Sequence, residues 1–181
     1  MVDQLPSIVI VMGLPGSGKT YLASRLARLL SAELISSDQV RREHQWRGRY
    51  TAEDKLRVYQ RMMEQADRAL RDGQSVILDA TFNRRAYRAL ADRLATQGPY
   101  PLSYIKVVAD EATTRVRTNR HRPDSEATYA IYRKLRREAE PLVQPHLWLD
   151  SSRQSIDSML QTTLDYLTHD VSAVSATTRF P

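Results

Sequence analysis

Cysteine is absent from this chain of 181 residues. That excludes disulfides, thiol nucleophiles and zinc–thiolate centres. Lysine is scarce: Lys19, Lys55, Lys106 and Lys134 are the only lysines among 27 basic side chains, so arginine carries the positive charge. No apolar run approaches the length that crosses a bilayer. A secretory signal is not expected either, because Asp3 comes early and the first apolar run is broken at Gly13. A cytoplasmic protein is the resulting expectation. Hydrophobic residues at 41% and charged residues at 27% are ordinary proportions for a globular chain long enough to bury a core. We expect one domain over residues 1–168 and a Ser/Ala/Thr-rich, aperiodic tail over 169–181. The net charge is +6. Arginine forks match phosphate and carboxylate geometry, so this balance suits a nucleotide or nucleic-acid substrate. It equally suits a chain that uses arginine in place of lysine on solvated faces. Oligomeric state is not legible.

What is present is dominated by Gly13-Leu14-Pro15-Gly16-Ser17-Gly18-Lys19-Thr20, which reads G-x-x-x-x-G-K-[ST]. Ile8 to Met12 ahead of it is a β-branched apolar run that predicts a buried strand. Tyr21 to Leu30 behind it predicts a helix with Leu22, Ala23, Leu26, Leu29 and Leu30 on one face. Glycines let the backbone curl so that successive N–H groups cradle phosphate oxygens, and the helix adds its positive end. The cradle comprises Gly13, Pro15, Gly16, Ser17 and Gly18. Lys19 reaches the β- and γ-phosphates, and the Thr20 hydroxyl ligates Mg²⁺. The pattern in this strand–loop–helix context predicts binding of a nucleoside triphosphate with Mg²⁺.

Further strands are expected at Glu33–Ser36, Ser75–Asp79, Leu102–Val108 and His146–Asp150. Helices alternate with them. One runs from an N-cap at Thr51 to about Asp72, with a stripe of Leu56, Tyr59, Met63, Ala66 and Leu70. Others cover Arg84–Gln97, a segment from Glu111 capped by Asp110, about Glu126–Glu140, and Ser155–Leu167. Arg41 to Tyr50 reads as a loop or irregular helix. Strict alternation predicts an α/β fold, a parallel sheet with helices on both faces.

In such a sheet ligands bind at the carboxyl ends of the strands. Asp38 and Arg41 come after the second strand, and their D-x-x-R spacing puts both on one side of a helical turn. Asp38 there could take the proton of an attacking hydroxyl, and Arg41 could grip a phosphate of the acceptor. The plainer alternative is that Asp38 caps a short helix and pairs with a nearby arginine. Asp79 closes the third strand in the manner of an acid that orders Mg²⁺. Thr81, Asn83 and Arg85 come next and would line the acceptor side. Arg115, Arg117, Arg120 and Arg122 precede a break at Pro123. One of them on a lid could neutralise charge over the γ-phosphate, with Arg120 the first choice and Arg117 weaker. Trp46, Arg47, Arg49 and Tyr50 could clamp a nucleic-acid end, although packing of a loop is the more ordinary use of Trp46 and Tyr50.

The set GLPGSGKT, Ser37-Asp38-Gln39-Val40-Arg41, Val76 to Arg85 and Arg117-Thr118-Asn119-Arg120 resembles the small P-loop kinases of the polynucleotide 5′-kinase and zeta-toxin-like group, with an AAA-type ATP-binding kinase domain. It is also similar to the kinase-like domain attached to aminoglycoside-phosphotransferase-like proteins. The resemblance runs from about Ile8 to Leu167. It implies a three-layer P-loop fold with the sheet in the order 2-3-1-4-5 and an arginine-bearing lid. It implies Asp38 as general base with Arg41 beside the reacting phosphate, Arg120 as the lid arginine, Asp79 as the strand-end acid, and ATP as donor. The leading expectation is an ATP- and Mg²⁺-dependent phosphotransferase acting on a polynucleotide 5′-hydroxyl. The alternatives are a kinase of a small hydroxyl-bearing metabolite (a sugar, nucleoside or antibiotic) and a nucleotide-binding regulatory ATPase.

Overall fold

A computed structural model describes residues 5–119 and 128–176, with residues 169–176 as helix backbone only. The order is β1 (Ile8–Met12), α1 (Lys19–Leu30), β2 (Glu33–Ser36), α2 (Ser37–Glu43), α3 (Ala52–Arg71), β3 (Val76–Ala80), α4 (Arg85–Gln97), β4 (Leu102–Val108), α5 (Glu111–Asn119), α6 (Tyr129–Glu138), β5 (Leu147–Asp150) and α7 (Ile156–Ala176). The strands form one five-stranded sheet in the order β2-β3-β1-β4-β5, and every pairing is parallel. This is the expected P-loop topology.

β1 lies at the centre and is buried along its whole length. Its period of two sends alternate side chains into two separate cores. Ile8, Ile10 and Met12 join the α3 and α4 side with Val58, Met62, Ala66, Leu70 and Phe82. Val9 and Val11 join Leu22, Ala23, Leu26 and Met159 of α1 and α7 on the other. Two buried faces explain why β1 and β3 read as continuous apolar runs.

Local chemistry sets several element ends as expected. Thr51 and Asp54 form a reciprocal capping box at the start of α3: Asp54 N–H donates to Thr51 Oγ1 at 3.1 Å, and Thr51 N–H to Asp54 Oδ2 at 3.2 Å. Asp110 Oδ1 accepts from Thr113 N–H at 2.7 Å and starts α5.

Other expectations are corrected. The expected buried face of α1 includes Leu29 and Leu30, but they are 59% and 38% exposed, and Ala27 is buried instead. In α3 the expected Tyr59, Met63, Ala66 and Leu70 are buried together with Val58 and Met62, while Leu56 is 37% exposed, so the buried stripe is wider than expected and leaves out Leu56. Of the Arg41–Tyr50 segment, expected as a loop or irregular helix, residues 41–43 end a regular helix, α2, which Ser36 caps by accepting from Asp38 N–H at 3.3 Å, and residues 44–50 are irregular as expected. α6 is shorter than Glu126–Glu140 because Thr128 caps it. α7 continues to Ala176, past both its expected end at Leu167 and the expected tail boundary at residue 169.

The rotated α1 face predicts unequal costs. Leu26→Ala should destabilise the chain by about 2–5 kcal/mol, and Leu29→Ala by no more than about 0.5 kcal/mol. Urea unfolding of the two variants compares them directly, and equal losses would contradict the observed face.

Candidate active site

The loop between β1 and α1 has the backbone its glycines permit. Gly16 (φ 82°) and Gly18 (φ 90°) are left-handed, and Gly18 is the N-cap of α1. A Cβ on Gly13 would lie 2.3 Å from the Val107 carbonyl oxygen and 2.6 Å from Ser17 Oγ, so only glycine fits against β4. No side chain caps α1, and its first turn holds no acid. The N–H groups there are left for an anion, and the helix end favours one.

The loop is braced from the outside. Arg117 of α5 donates from Nη1 to the Gly16 carbonyl at 3.1 Å and to Ser151 Oγ at 2.7 Å, and from Nη2 to the Ser151 carbonyl at 3.1 Å. Ser151 Oγ donates in turn to the Ser17 carbonyl at 2.6 Å. Carbonyls turned outward and held there leave the opposite peptide N–H groups turned inward. Arg117, expected as a weaker lid arginine, braces the loop. Arg120 and Arg122 lie outside the described residues. Arg115 sits 5.3 Å over the Tyr129 ring.

Two acids meet beside the loop. Sheet register places Ser36 of β2 next to Asp79 of β3, and Asp79 next to Val11 of β1. Asp79 is 2% exposed, and its Oδ1 has no hydrogen-bond partner among the described residues. Burial pushes its pKa up. The Lys19 ammonium and the Thr20 and Ser36 hydroxyls oppose that rise, and the neighbouring Asp38 charge adds to it. Lys19, Thr20, Asp38 and Asp79 are therefore one electrostatic group. Asp38 itself is half-buried in the first turn of α2. Among the described residues no three His, Cys, Asp or Glu side chains are clustered to hold a metal. A buried carboxylate oxygen without a partner beside a hydroxyl suits Mg²⁺ held by Asp79 and Thr20, provided phosphate oxygens complete its shell.

The turn after β3, expected to line the acceptor side, is strained. Phe82 is fully buried with φ 45°, a left-handed backbone unusual for a bulky residue. Three groups hold it. Its N–H donates to Tyr59 Oη at 3.0 Å, its carbonyl accepts from Arg88 Nη1 at 2.9 Å, and its ring packs edge-on to Tyr59 at 4.9 Å. Burial pushes the Tyr59 hydroxyl up to about 12, so it stays protonated. Arg88 is 1% exposed and also donates to the Pro141 carbonyl at 2.7 Å. The Asn83 carbonyl accepts from Glu140 N–H at 2.8 Å, and the Glu140 carboxylate accepts from Arg85 N–H. The turn after β3 is thus tied to the chain after α6. Sequence reasoning misses Tyr59 and Arg88 as site supports. Tyr59 resembles any stripe residue, and an arginine on a helix resembles a solvated one.

Thr81 and Asn83 line a cavity of about 400 Å³, together with Gly13, Pro15, Lys106 and Tyr132. Arg85 is exposed and does not line it. Arg41 departs from its expected role. It is 7% exposed, donates to the Arg49 carbonyl at 2.8 Å, and lies 4.7 Å over the Tyr50 ring. It anchors the 46–50 loop, so part of its fork is not open to an acceptor phosphate. Trp46 packs on the core and stacks on His44 at 4.7 Å, the ordinary use rather than a clamp.

Two variants test this geometry. A carboxyl held above its ordinary pKa favours the folded state only while protonated, and that contribution is lost as pH rises through the raised value. Asp79→Asn should therefore unfold at a higher temperature than wild type at neutral pH, with the gap closing towards about pH 4. The same variant should lose most of the extra thermal stabilisation that Mg²⁺ with ATP confers. A wild-type chain that is the more stable at neutral pH would contradict the buried, under-satisfied carboxylate. Arg88→Met should cost about 1–3 kcal/mol by stranding the buried Phe82 carbonyl, measured by urea unfolding.

The family model for the AAA domain matches residues 8–142. An uncharacterized protein of Mycobacterium tuberculosis is 38% identical over 100 residues, 49% of this chain and 20% of that protein. The chain thus spans about a fifth of the length of the curated relative it matches there. A probable adenylyl-sulfate kinase of Aeropyrum pernix is 27% identical over 157 residues, covering 83% of this chain and 86% of that one. The structure of the APS kinase of Mycobacterium tuberculosis with AMPPNP and APS superposes with a TM-score of 0.72 at 20% identity, over 90% of this chain and 98% of that one. No helix of the described residues is long and apolar enough to cross a membrane. The topology, the phosphate loop and the family match agree: this chain belongs to the AAA domain family.

Proposed function

We propose that this chain is an ATP-dependent kinase whose acceptor is a hydroxyl of a small metabolite. One observation carries the reading: a cavity of about 400 Å³, lined by Gly13, Pro15 and Ser17 of the phosphate loop and by Thr81 and Asn83, opens at the strand ends that also carry Asp38 and Asp79, although neither acid lines it. That volume suits a small molecule. The kinase names of the full-length relative and of the superposed structure support the same class. The polynucleotide acceptor expected from net charge and D-x-x-R spacing ranks second, since Arg41 and Trp46 serve the fold.

In this reading the loop N–H groups and Lys19 hold the β- and γ-phosphates, and Thr20 with Asp79 holds Mg²⁺. The metal, when bound with the triphosphate, draws charge from the phosphate oxygens. The acceptor oxygen attacks the γ-phosphorus while the bond to the β–γ bridging oxygen breaks. Asp38 takes the hydroxyl proton, and ADP leaves. Positioning and electrostatics supply most of the acceleration.

Phosphate transfer from γ-labelled ATP to sugars, nucleosides and 5′-hydroxyl oligonucleotides separates the readings. Label should appear on a small acceptor. Label on the oligonucleotide alone would restore the polynucleotide reading, and ADP formed equally with and without acceptor would leave a regulatory ATPase. Asp38→Asn should lower the transfer rate by about 10²–10⁴-fold, the range of a lost general base, with ATP affinity near wild type. An unchanged rate would remove Asp38 from the chemistry.

A further inference from the structure

The wall of the 400 Å³ cavity changes character with depth. Its buried part carries no ionic side chain among the described residues: Met12, Val107 and Tyr132 are apolar or aromatic, and Ser17, Asn83 and Thr114 are polar without charge. Leu14 and Leu142 extend the apolar surface and are half-buried. The charged side chains of the wall lie nearer to solvent. Asp110, Glu111, Arg136 and Glu140 are exposed, and Lys106 is half-buried. Glu111 and Arg136 neutralise each other at 3.1 Å. Three carboxylates against two cations leave the wall with a net negative charge. An anion seated on the buried part would lose its water without gaining a counter-charge. An apolar ring there gains from leaving water.

The hydroxyl of Thr81 supplies a polar contact on this wall, and its proton is directed by α3. Phe82 N–H donates to Tyr59 Oη at 3.0 Å, so the Tyr59 proton is left for Thr81 Oγ1 at 3.1 Å. Thr81 Oγ1 therefore accepts from Tyr59 and keeps its own proton to donate. That proton meets only Asn83 Oδ1, at a long 3.4 Å, which a ligand oxygen can replace. Thr81 is half-buried, so its hydroxyl is within reach of a ligand in the cavity. Neither Asp38 nor Asp79 lines the cavity, so what fills it is the body of the acceptor, with the reacting hydroxyl extending towards the strand ends. We infer that the acceptor is an uncharged hydroxyl compound with an apolar ring, the ring lying on Met12, Val107, Leu142 and Tyr132 and one of its oxygens accepting from Thr81, which Tyr59 positions. This rests on the phosphotransfer reading above and names its acceptor class.

Two sets of acceptors keep their sugar hydroxyls and differ in the ring and its charge: methyl riboside, uridine and orotidine, and methyl glucoside, phenyl glucoside and 4-carboxyphenyl glucoside. Each is supplied with Mg²⁺ and ATP, with ADP release as the readout. In a set that is turned over, the uncharged ring-bearing member should exceed both others in kcat/KM by about tenfold. Thr81→Val should raise the KM of that acceptor by about three- to tenfold, the scale of one neutral hydrogen bond, with the KM for ATP constant. Thr81→Ser, which keeps the hydroxyl, should restore it. Tyr59→Phe should raise the same KM and add little to it in the Thr81→Val background, because Tyr59 acts through Thr81. Preference for the carboxylate or for the ringless glycoside, or an unchanged KM in Thr81→Val, overturns the inference and leaves the kinase reading standing. ADP release that no acceptor stimulates counts against the kinase reading instead. Calorimetric titration of phenyl glucoside and of 4-carboxyphenyl glucoside into the chain loaded with AMPPNP and Mg²⁺ then decides the inference without turnover. Tighter binding of the uncharged compound supports it. Equal binding, tighter binding of the carboxylate, or binding of neither overturns it.

Discussion

The parallel register of β2, β3 and β1 is the constraint on which the site depends. Ser36, Asp79 and Val11 stand side by side, at successive spacings of about 4.8 Å. All three strands point the same way, so their carboxyl ends share one edge of the sheet. From that edge emerge α2 with Asp38, the turn at Thr81–Asn83, and the phosphate loop. A slip of one residue in β3 would turn Asp79 towards the opposite face and bring Leu78 or Ala80 into its place. The apolar alternation that loads two cores from one strand therefore also aims the carboxylate.

That arrangement is held against opposing forces. Asp79 is buried and under-satisfied beside a second carboxylate, and Phe82 occupies a left-handed conformation that costs about 1–3 kcal/mol. Both lie at the carboxyl end of β3, where the chain must turn sharply to present Thr81 and Asn83. Tyr59 from α3 and Arg88 from α4 hold the turn from beneath. Arg88 also reaches Pro141, and Glu140 reaches Asn83 and Arg85, so the turn after β3 and the segment behind α6 form one unit. Movement of α6 would be felt at the turn through these bonds.

Arginine abundance has a structural explanation at three positions. Arg117 braces the phosphate loop through Gly16 and Ser151, Arg88 joins two backbone segments, and Arg41 anchors the loop after α2. In each case a planar fork meets backbone carbonyls. Positive charge used this way is not a nucleic-acid surface, so the charge balance is a poor guide to the acceptor.

Local chemistry was sufficient for much of the chain. The glycine spacing of Gly13–Thr20, the β-branched run before it, the Thr51–Asp54 capping box and the strand–helix alternation each act over a few residues, so each is legible without a partner. The same holds for Asp38 and Asp79, whose positions at strand ends are set by where their strands stop. What the tertiary structure decided required segments far apart in the chain. Leu29 of α1 and Leu56 of α3 have the right spacing for burial, yet both are exposed, while Ala27 in α1 and Val58 and Met62 in α3 are buried beside the expected residues. Arg41, Arg88 and Arg117 look alike in sequence and are separated only by the carbonyls they meet, at Arg49, at Phe82 with Pro141, and at Gly16 with Ser151.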